Sequence, residues 1–303
     1  MGWVKEIRGK TSFAALLIGL ALLGQAWLSG DASAMASGQV QGTAARGEPC
    51  SFDCYEVPSP DEVIYHFADA TRPALPKRTL KVLVWNVYKG QKPAFRSTFN
   101  ELTKNVDLVI LSEVVLDQKV GPALLDLAGF GWVLSANFLM ANRVPTGPAI
   151  GSAVHPKNVR YKKTVAREPF VGSPKTTVIA EFPIAGSKDT LLVAGIHGIN
   201  FTADVTLRDQ VKDVSNEFRK HRGPIIFAGD FNIRNQARFD FVNQVATEHG
   251  LSRAPWQNDY AIYYQFDDAF TKGLNVKWAE IISEVEGIGS DHPALYMEVD
   301  LAN

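Results

Sequence analysis

This sequence contains few cysteines and has almost no net charge, and each of these features excludes a class of protein. Only two cysteines occur among 303 residues, so neither a disulfide-rich scaffold nor a cysteine-based zinc cluster accounts for the fold. The formal net charge is −1, which excludes a molecule that binds nucleic acid through an overall basic surface. Any binding of phosphate must therefore depend on local groups.

The sequence also lacks the short motifs of several large enzyme classes. It contains no Walker loop, no nucleophile elbow and no GxGxxG before a predicted helix, which excludes the mechanisms that depend on those motifs. No internal repeat is present. The hydrophobic content of 46% and the charged content of 21% are typical of a globular protein rather than a disordered one.

Long apolar runs are missing except near the N-terminus. There, basic residues precede an apolar run over residues 13–28, and the small residues Ala32-Ser33-Ala34 follow it. This order predicts an export signal over residues 1–34 that is cleaved near Ala34, and a periplasmic or secreted protein. The alternative is an uncleaved membrane anchor, although the run is short for the ~20 residues that cross a bilayer.

A linker and a short N-terminal extension are predicted over residues 35–78. Cys50 and Cys54 lie in this segment, where export favours a small-loop disulfide over metal binding. Pro60 and the acidic residues after it predict the start of a short helix that runs to about Ala70.

The main domain is predicted over residues 79–303. Strands alternate with helices at both ends of this region, whereas strands in the middle follow one another directly, which indicates mixed sheets with helices outside. The predicted helices cover residues 94–105, 120–127, 203–221 and 237–249. The predicted strands cover residues 81–85, 106–111, 132–138, 149–154, 176–182, 191–196, 225–228, 268–271, 276–282 and 294–299.

Several of these strands end on a polar or ionisable side chain. Taken alone, each such residue has an ordinary structural interpretation, such as a turn or a hydrogen-bonded histidine. Ligands nevertheless collect at the strand ends of open α/β sheets, and the whole set in one chain favours a functional site. Its members are Asn86, Glu113, His197, Asn200, Asp230, Asn232, Asp267, Asp291 and His292.

The residue types in this set suit the hydrolysis of a phosphate ester. The hard oxygen ligands of Glu113 and Asp291 suit Mg²⁺ or Mn²⁺ rather than zinc. Asp230 can accept a proton from water, and His292 beside a carboxylate can donate to a phosphate oxygen. The chemistry predicted is a metal-assisted attack of water on phosphorus, without a covalent intermediate.

The region from about Leu80 to Leu301 closely resembles the endonuclease/exonuclease/phosphatase superfamily. That resemblance implies a four-layer α/β/β/α sandwich of two mixed β-sheets, with the site where the sheets open at one edge. It rests on these ordered motifs: Trp85-Asn86, Leu111-Ser112-Glu113, His197-Gly198-Ile199-Asn200, Gly229-Asp230-Phe231-Asn232 and Ser290-Asp291-His292.

The resemblance also implies a role for each residue of the set. Glu113 would be a metal ligand with Asn86 and Asp291 beside the ion, and Asp230 would activate water. The remaining catalytic groups would be Asn232, His197, Asp267 and His292, while Asn86 and Asn200 would contact the phosphate.

One departure accompanies the resemblance. Ser112 replaces the Gln that is common before the metal-ligand Glu in the superfamily. Lys89 has two interpretations, a residue that reaches a phosphate and an ordinary solvated lysine, and the second is expected.

The expected function is that of a nuclease-type phosphodiesterase that uses Mg²⁺ or Mn²⁺ and acts as a monomer on a phosphate ester, with nucleic acid among the candidates. The alternatives are an extracytoplasmic phosphatase, a phosphodiesterase of the phospholipase C or sphingomyelinase type, and a non-catalytic binding module. A nuclease would need a local basic patch, for which the candidates are Lys89, Lys92, Arg96, Arg143 and Lys175.

Overall fold

The computed structural model describes residues 56–169, 172–258 and 266–301. The predicted export signal, the predicted linker and both cysteines lie outside these residues. Within them, every helix is too short or too polar to cross a membrane.

Two mixed β-sheets form the centre of the described domain. The strands are β1 (Ile64–Phe67), β2 (Leu80–Asn86), β3 (Leu108–Val115), β4 (Gly131–Ser135), β5 (Phe138–Met140), β6 (Val144–Ser152), β7 (Asn158–Lys163), β8 (Thr176–Pro183), β9 (Thr190–His197), β10 (Ile225–Asp230), β11 (Ser252–Arg253), β12 (Asp267–Lys272), β13 (Leu274–Ile282) and β14 (Ala294–Leu301). The helices are α1 (Phe95–Leu102), α2 (Val120–Leu125), α3 (Asp204–Lys220) and α4 (Gln236–Glu248).

The first sheet has eight strands in the order β1-β4-β6-β3-β2-β14-β13, with β5 added beside β6. The second sheet has six strands in the order β11-β12-β10-β9-β8-β7. Parallel pairing occurs between β2 and β3 and between β9 and β10, and the other named strand pairs are antiparallel. The carboxyl ends of each parallel pair therefore lie at one edge of its sheet.

Alternation of side chains along the central strands builds three apolar layers. On β2, Val82 and Val84 face the second sheet, whereas Leu83 and Trp85 face α1 and α2. The apolar stripe of α3, which contains Val211 and the residues at helical spacing around it, packs on the outer face of the second sheet. The predicted four-layer α/β/β/α sandwich is thus confirmed.

The N-terminal extension differs from its prediction. The helix expected up to about Ala70 is wrong, because the helical turn covers only Pro60–Glu62 and β1 follows it. The residues of β1 are β-branched and aromatic, and they alternate between faces: Ile64 packs on the layer between the sheets, while Tyr65 and Phe67 pack on the helix side. This alternation serves a sheet and not a helix.

Candidate active site

Side chains from both sheets meet at the edge where β2, β9 and β10 end. Asn86 closes β2, His197 closes β9 and Asp230 closes β10. Asp267 opens β12 directly opposite Asp230 in antiparallel register, and His292 lies in the loop before β14. Hydrogen bonds join Asn86 to Asp230 and Asp267 to His292, so the sequence motifs form one cluster.

Asn86 lies at the centre of the cluster and joins the two sheets. Its amide Nδ2 donates to Asp230 Oδ2 at 2.9 Å and lies 3.4 Å from Glu113 Oε1 and 3.5 Å from His292 Nε2. Its Oδ1 accepts from the backbone N–H of Tyr88 at 3.0 Å. Asn86 is fully buried, so these contacts satisfy an amide that would otherwise be costly to bury.

Glu113 is turned toward the cluster by an irregularity in its strand. The pairing of β3 with β6 shifts register between Leu111 and Val114, and Glu113 itself has a φ of +56°. A left-handed conformation at a residue other than glycine costs roughly 1–3 kcal/mol and persists only where the surroundings hold it. The bulge therefore aims one carboxylate at the strand ends rather than along the face of the sheet.

Ser112 connects the two sheets beside this bulge. Its hydroxyl donates to the carbonyl of Ile196 at 3.2 Å and accepts from the backbone N–H of Asp230 at 3.4 Å. The residue that departs from the common superfamily pattern thus fixes the spacing between β3 and the ends of β9 and β10.

The backbone around Asp230 is shaped to present its carboxylate. Gly229 has a φ of +138°, and a Cβ there would lie 2.2 Å from the carbonyl oxygen of Ile196, so no larger residue fits. Asn232, at a φ of +52°, donates its N–H to Asp230 Oδ1 at 2.8 Å and its side-chain amide to the carbonyl of Gly198 at 2.8 Å. Asp230 is thereby held rigidly at the end of β10.

The electrostatic environment of Asp230 suits a general base. Burial, reinforced by the charge of Asp267, raises the pKa of Asp230 to about 7. A base is most effective when its pKa lies close to the working pH. His197 Nε2 lies 3.7 Å from Asp230 Oδ2, and burial, together with the charge of Lys175, holds the pKa of His197 well below its usual value, so that His197 is neutral.

Asp267 and His292 form a close pair. Their Oδ2 and Nδ1 atoms lie 2.5 Å apart. Burial alone would lower the pKa of His292, but the charge and the hydrogen bond of Asp267 outweigh burial and raise it to about 10. His292 is therefore protonated at neutral pH, with Nδ1 donating to Asp267. Its Nε2–H and Asn86 Nδ2 are both donors, so their 3.5 Å contact is not a hydrogen bond and Nε2–H remains available to an acceptor in the cluster.

Asp268 faces the other side of the same strand. Its carboxylate accepts from the indole Nε1 of Trp256 at 2.9 Å and from Arg253 Nε at 2.6 Å. Neighbouring residues of a strand point to opposite faces, so the adjacent carboxylates Asp267 and Asp268 have separate surroundings, one in the cluster and one in the core.

Glu113 and Asp291 offer the carboxylate oxygens that Mg²⁺ or Mn²⁺ requires. Asn86, in contrast, turns its Nδ2 donor toward Glu113 and its Oδ1 toward the N–H of Tyr88, so the predicted amide ligand is not presented to that carboxylate.

Burial alone would raise the pKa of Glu113, but the charges of Lys89 and Lys175 overcome it and hold this pKa well below its usual range. Burial, reinforced by the negative charge of Glu113, raises the pKa of Asp291. This crowding of carboxylates is what a bound divalent cation offsets.

A second group of donor atoms, from Asp230, Asp267 and His292, lies within 4.8 Å of one another. This group fits a metal less well, because His292 is protonated and its Nδ1 is engaged by Asp267. An imidazolium has no lone pair to offer a cation.

Asn200 is the predicted residue that the structure does not bring into the cluster. Its Oδ1 accepts from Arg234 Nη1 at 3.0 Å and from the N–H of Phe201, and its own N–H donates to Glu168 Oε1 at 2.9 Å. Within the described residues, none of its hydrogen bonds reaches Asn86, Asp230 or Glu113. Asn200 thus fixes the loop after β9 in this structure.

Two lysines of the candidate basic patch, Lys89 and Lys175, lie at the site. Lys89 Nζ lies 2.8 Å from Glu113 Oε2, so the expectation of an ordinary solvated lysine is wrong. The left-handed conformation of Tyr88 and Lys89 folds this side chain back over the carboxylate. Lys175 Nζ lies 3.2 Å from Glu168 Oε2, and both side chains are buried.

Arg238 is a buried positioning residue that sequence reasoning did not single out. Its guanidinium donates to Asp204 Oδ1 at 2.7 Å and to the carbonyls of Asn232, Thr202 and Ile199 at 3.0, 3.1 and 3.2 Å. It therefore holds the loops after β9 and β10 together. In the sequence, Arg238 is simply one polar residue within a predicted helix.

Comparison with known proteins agrees with this geometry. Residues 83–292 match the model of the Endonuclease/Exonuclease/phosphatase family. A protein of that description from Bacteroides vulgatus superposes with a TM-score of 0.59 at 14% identity, covering 74% of this chain and 100% of the other. The mannosyl-6-phosphatase Bt3783 of Bacteroides thetaiotaomicron superposes with a TM-score of 0.57 at 14% identity, covering 73% of this chain and 99% of the other.

A 3'-5' exonuclease from Neisseria meningitidis superposes with a TM-score of 0.50 at 17% identity, covering 73% of this chain and 100% of the other. At such identities the superpositions show a shared fold, whereas the family match spans most of the chain. Members of the matched family hydrolyse phosphate esters and generally depend on divalent metal ions. The chain belongs to the endonuclease/exonuclease/phosphatase family.

Proposed function

We propose that this protein is a divalent-metal-dependent phosphoesterase that hydrolyses phosphodiester bonds by direct attack of water. The observation that carries the proposal is the hydrogen-bonded cluster at the strand ends. In it, one buried amide, Asn86, contacts the base Asp230, the carboxylate Glu113 and the imidazole of His292. A base, a metal ligand and a cationic donor thus lie around one point.

The side chains divide the chemistry between them. Asp230, oriented by the N–H of Asn232, accepts a proton from the attacking water as the new O–P bond forms and the ester P–O bond breaks. His292 donates from Nε2 to a phosphate oxygen, and neutral His197 offers a second donor. Glu113 and Asp291 would hold Mg²⁺ or Mn²⁺, which when bound polarises the phosphate and stabilises developing charge.

The charges near the site favour a small phosphate ester as the substrate. A polynucleotide is bound mainly through uncompensated Lys and Arg side chains. Of the candidate basic patch, Arg96 pairs with Asp126, Arg143 pairs with both Glu56 and Glu62, Lys89 pairs with Glu113 and Lys175 pairs with Glu168, while Lys92 Nζ lies 5.9 Å from the ring centre of Tyr88. Three of the five candidates, Arg96, Arg143 and Lys175, are therefore paired with carboxylates outside the cluster, which leaves little basic surface for a polynucleotide.

A nuclease is the second candidate, and His197 supports it because it occupies a nuclease-like position beside Asp230. The structural neighbours include both a phosphatase and an exonuclease by name, so the fold serves both kinds of substrate. Direct assays on a small phosphate ester and on nucleic acid distinguish these two functions.

A substrate panel tests this proposal. Purified protein with Mg²⁺ is incubated with bis(p-nitrophenyl) phosphate, p-nitrophenyl phosphate, plasmid DNA and a single-stranded oligonucleotide, each at low and high salt. We expect turnover of the small diester to exceed cleavage of either nucleic acid by at least roughly tenfold, with little dependence on salt.

Faster cleavage of the oligonucleotide that falls steeply with salt would instead select the nuclease. Hydrolysis of the monoester alone would select a phosphatase. The proposal fails if a folded, metal-supplied protein hydrolyses none of these esters.

A further inference from the structure

Lys89 is held over the site by an unusual turn. Tyr88, Lys89 and Gly90 have φ values of +48°, +52° and +63°, so consecutive residues adopt the left-handed conformation. The turn is closed by hydrogen bonds from Gly90 N–H to the carbonyl of Val87 at 2.9 Å and from Gln91 N–H to the carbonyl of Tyr88 at 3.0 Å. This backbone directs the lysine stem toward β3 rather than into solvent.

The space behind the turn fixes its position. A Cβ on Gly90 would lie 2.7 Å from Val120 Cγ2 and 3.2 Å from Phe95 Cδ1, so the turn packs directly on α1 and α2. Strained turns that are locked by their surroundings are often functional. The position of the turn explains why the contacts of the Lys89 ammonium persist.

The ammonium of Lys89 engages the carboxylate that is expected to bind the metal ion. Lys89 Nζ lies 2.8 Å from Glu113 Oε2, while Glu113 Oε1 faces the amide of Asn86 at 3.4 Å. The Glu113 side chain is only 19% exposed, so its negative charge is poorly screened by water. A divalent cation at Glu113 would place like charges next to each other unless the ammonium moved away.

Lys89 is able to make that movement. Its side chain is 33% exposed, and lysine carries its charge on a flexible four-carbon stem. The turn places its backbone next to Asn86, within the same cluster as Asp230. An ammonium that leaves Glu113 therefore stays close to the position where a phosphate group would bind.

We propose that Lys89 is a tethered counter-ion of Glu113, which the divalent cation displaces and which then contributes its charge to the substrate phosphate. This inference rests on the proposed function, because it assumes a metal ion at Glu113. It predicts that Lys89 weakens metal binding in the absence of phosphate. It also predicts that metal and phosphate strengthen each other's binding, since such coupling is reciprocal.

Calorimetric titration of the full chain with Mn²⁺, with and without inorganic phosphate, tests the inference. We expect Lys89→Gln to bind Mn²⁺ roughly fivefold to tenfold more tightly than the wild type without phosphate. In the wild type, phosphate should tighten Mn²⁺ binding severalfold, and Lys89→Gln should lose most of that effect. Lys104→Gln, which removes an exposed lysine paired with Glu101, is the matched control and should match the wild type.

Two further variants, Lys89→Arg and Glu113→Gln, distinguish a failure of the role proposed for Lys89 from a failure of the proposed metal site. Lys89→Arg keeps the charge and should remain close to the wild type, and circular dichroism checks that each variant is folded. Unchanged or weaker Mn²⁺ binding by Lys89→Gln, with Mn²⁺ binding still lost in Glu113→Gln, would overturn the role of Lys89 alone. Normal Mn²⁺ binding by Glu113→Gln would instead overturn the metal centre of the proposed function.

Discussion

Asp230→Asn is expected to lower kcat by about 1,000-fold or more while leaving the fold intact. The carbonyl oxygen of asparagine can still accept the N–H of Asn232, which now bonds to Asp230 Oδ1 at 2.8 Å. The bond from Asn86 Nδ2, at 2.9 Å in the wild type, is lost because the asparagine amide group is itself a donor. What is lost is the proton acceptor for the attacking water. The measurement is steady-state hydrolysis of the small diester at saturating Mg²⁺.

The same variant should be at least as stable as the wild type. Burial and Asp267 raise the pKa of Asp230, so Asp230 ionises less readily in the folded protein than in the unfolded chain. The free energy of unfolding of the wild type therefore falls as the pH rises above the pKa of the unfolded group. Removing the charge should therefore raise the free energy of unfolding at pH 8, by about 1 kcal/mol.

Asp240→Asn, an identical change on the exposed face of α4, is the control and should alter neither activity nor stability. Near-normal turnover by a folded Asp230→Asn protein would remove Asp230 from the mechanism.

His292→Gln should lower kcat by roughly 100-fold to 1,000-fold. The glutamine amide can donate one hydrogen bond, but it cannot supply the positive charge that His292 acquires from Asp267 at 2.5 Å. Because this charge acts on a phosphate oxygen that becomes more negative during the reaction, the loss should fall on kcat more than on KM. Equal binding and equal turnover in the variant would contradict the assigned donor.

The stability of His292→Gln should also differ from that of the wild type in a pH-dependent way. The folded pKa of His292 is about 10, above the ~6.5 of an unfolded histidine. Its contribution to stability is therefore fully present below about pH 6.5 and is lost as pH rises toward 10. Denaturant unfolding in the presence of a chelator should show a wild-type advantage on the order of 3 kcal/mol at pH 6, which shrinks by pH 10.

His66→Gln, at an exposed position of β1, is the matched control for the change of residue type. A stability difference between the wild type and His292→Gln that stayed constant from pH 6 to pH 10 would show that the Asp267–His292 pair is not charged.

The central strands were predictable because burial on both faces leaves a continuous apolar run. Residues 225–228 and 191–196 read as strands for this reason, and β10 and β9 form there. The edge strand β7 was missed, since its residues are only partly buried and mostly polar or charged. A strand at the edge of a sheet is partly exposed, so its residues need not follow an apolar pattern, and its sequence resembles that of a loop.

The sequence predicted that polar residues at the strand ends come together, but it predicted neither the place of Asn200 outside the cluster nor the geometry of the site. Polar residues at strand ends are visible in the sequence, and parallel neighbours bring such ends together. The bulge at Glu113, the left-handed turn at Lys89 and the buried clamp of Arg238 depend on packing between distant segments. No local pattern specifies these features, which decide where each charge points.

The dependence of hydrolysis on a divalent cation tests the central claim most directly. Wild-type protein is assayed on the small diester before chelation, after exhaustive treatment with EDTA, and after addition of excess Mg²⁺ or Mn²⁺. We expect a loss of at least about 100-fold on chelation and recovery with either cation, with Asp230→Asn inactive throughout. Turnover of the diester that is unaffected by chelation would contradict the claim.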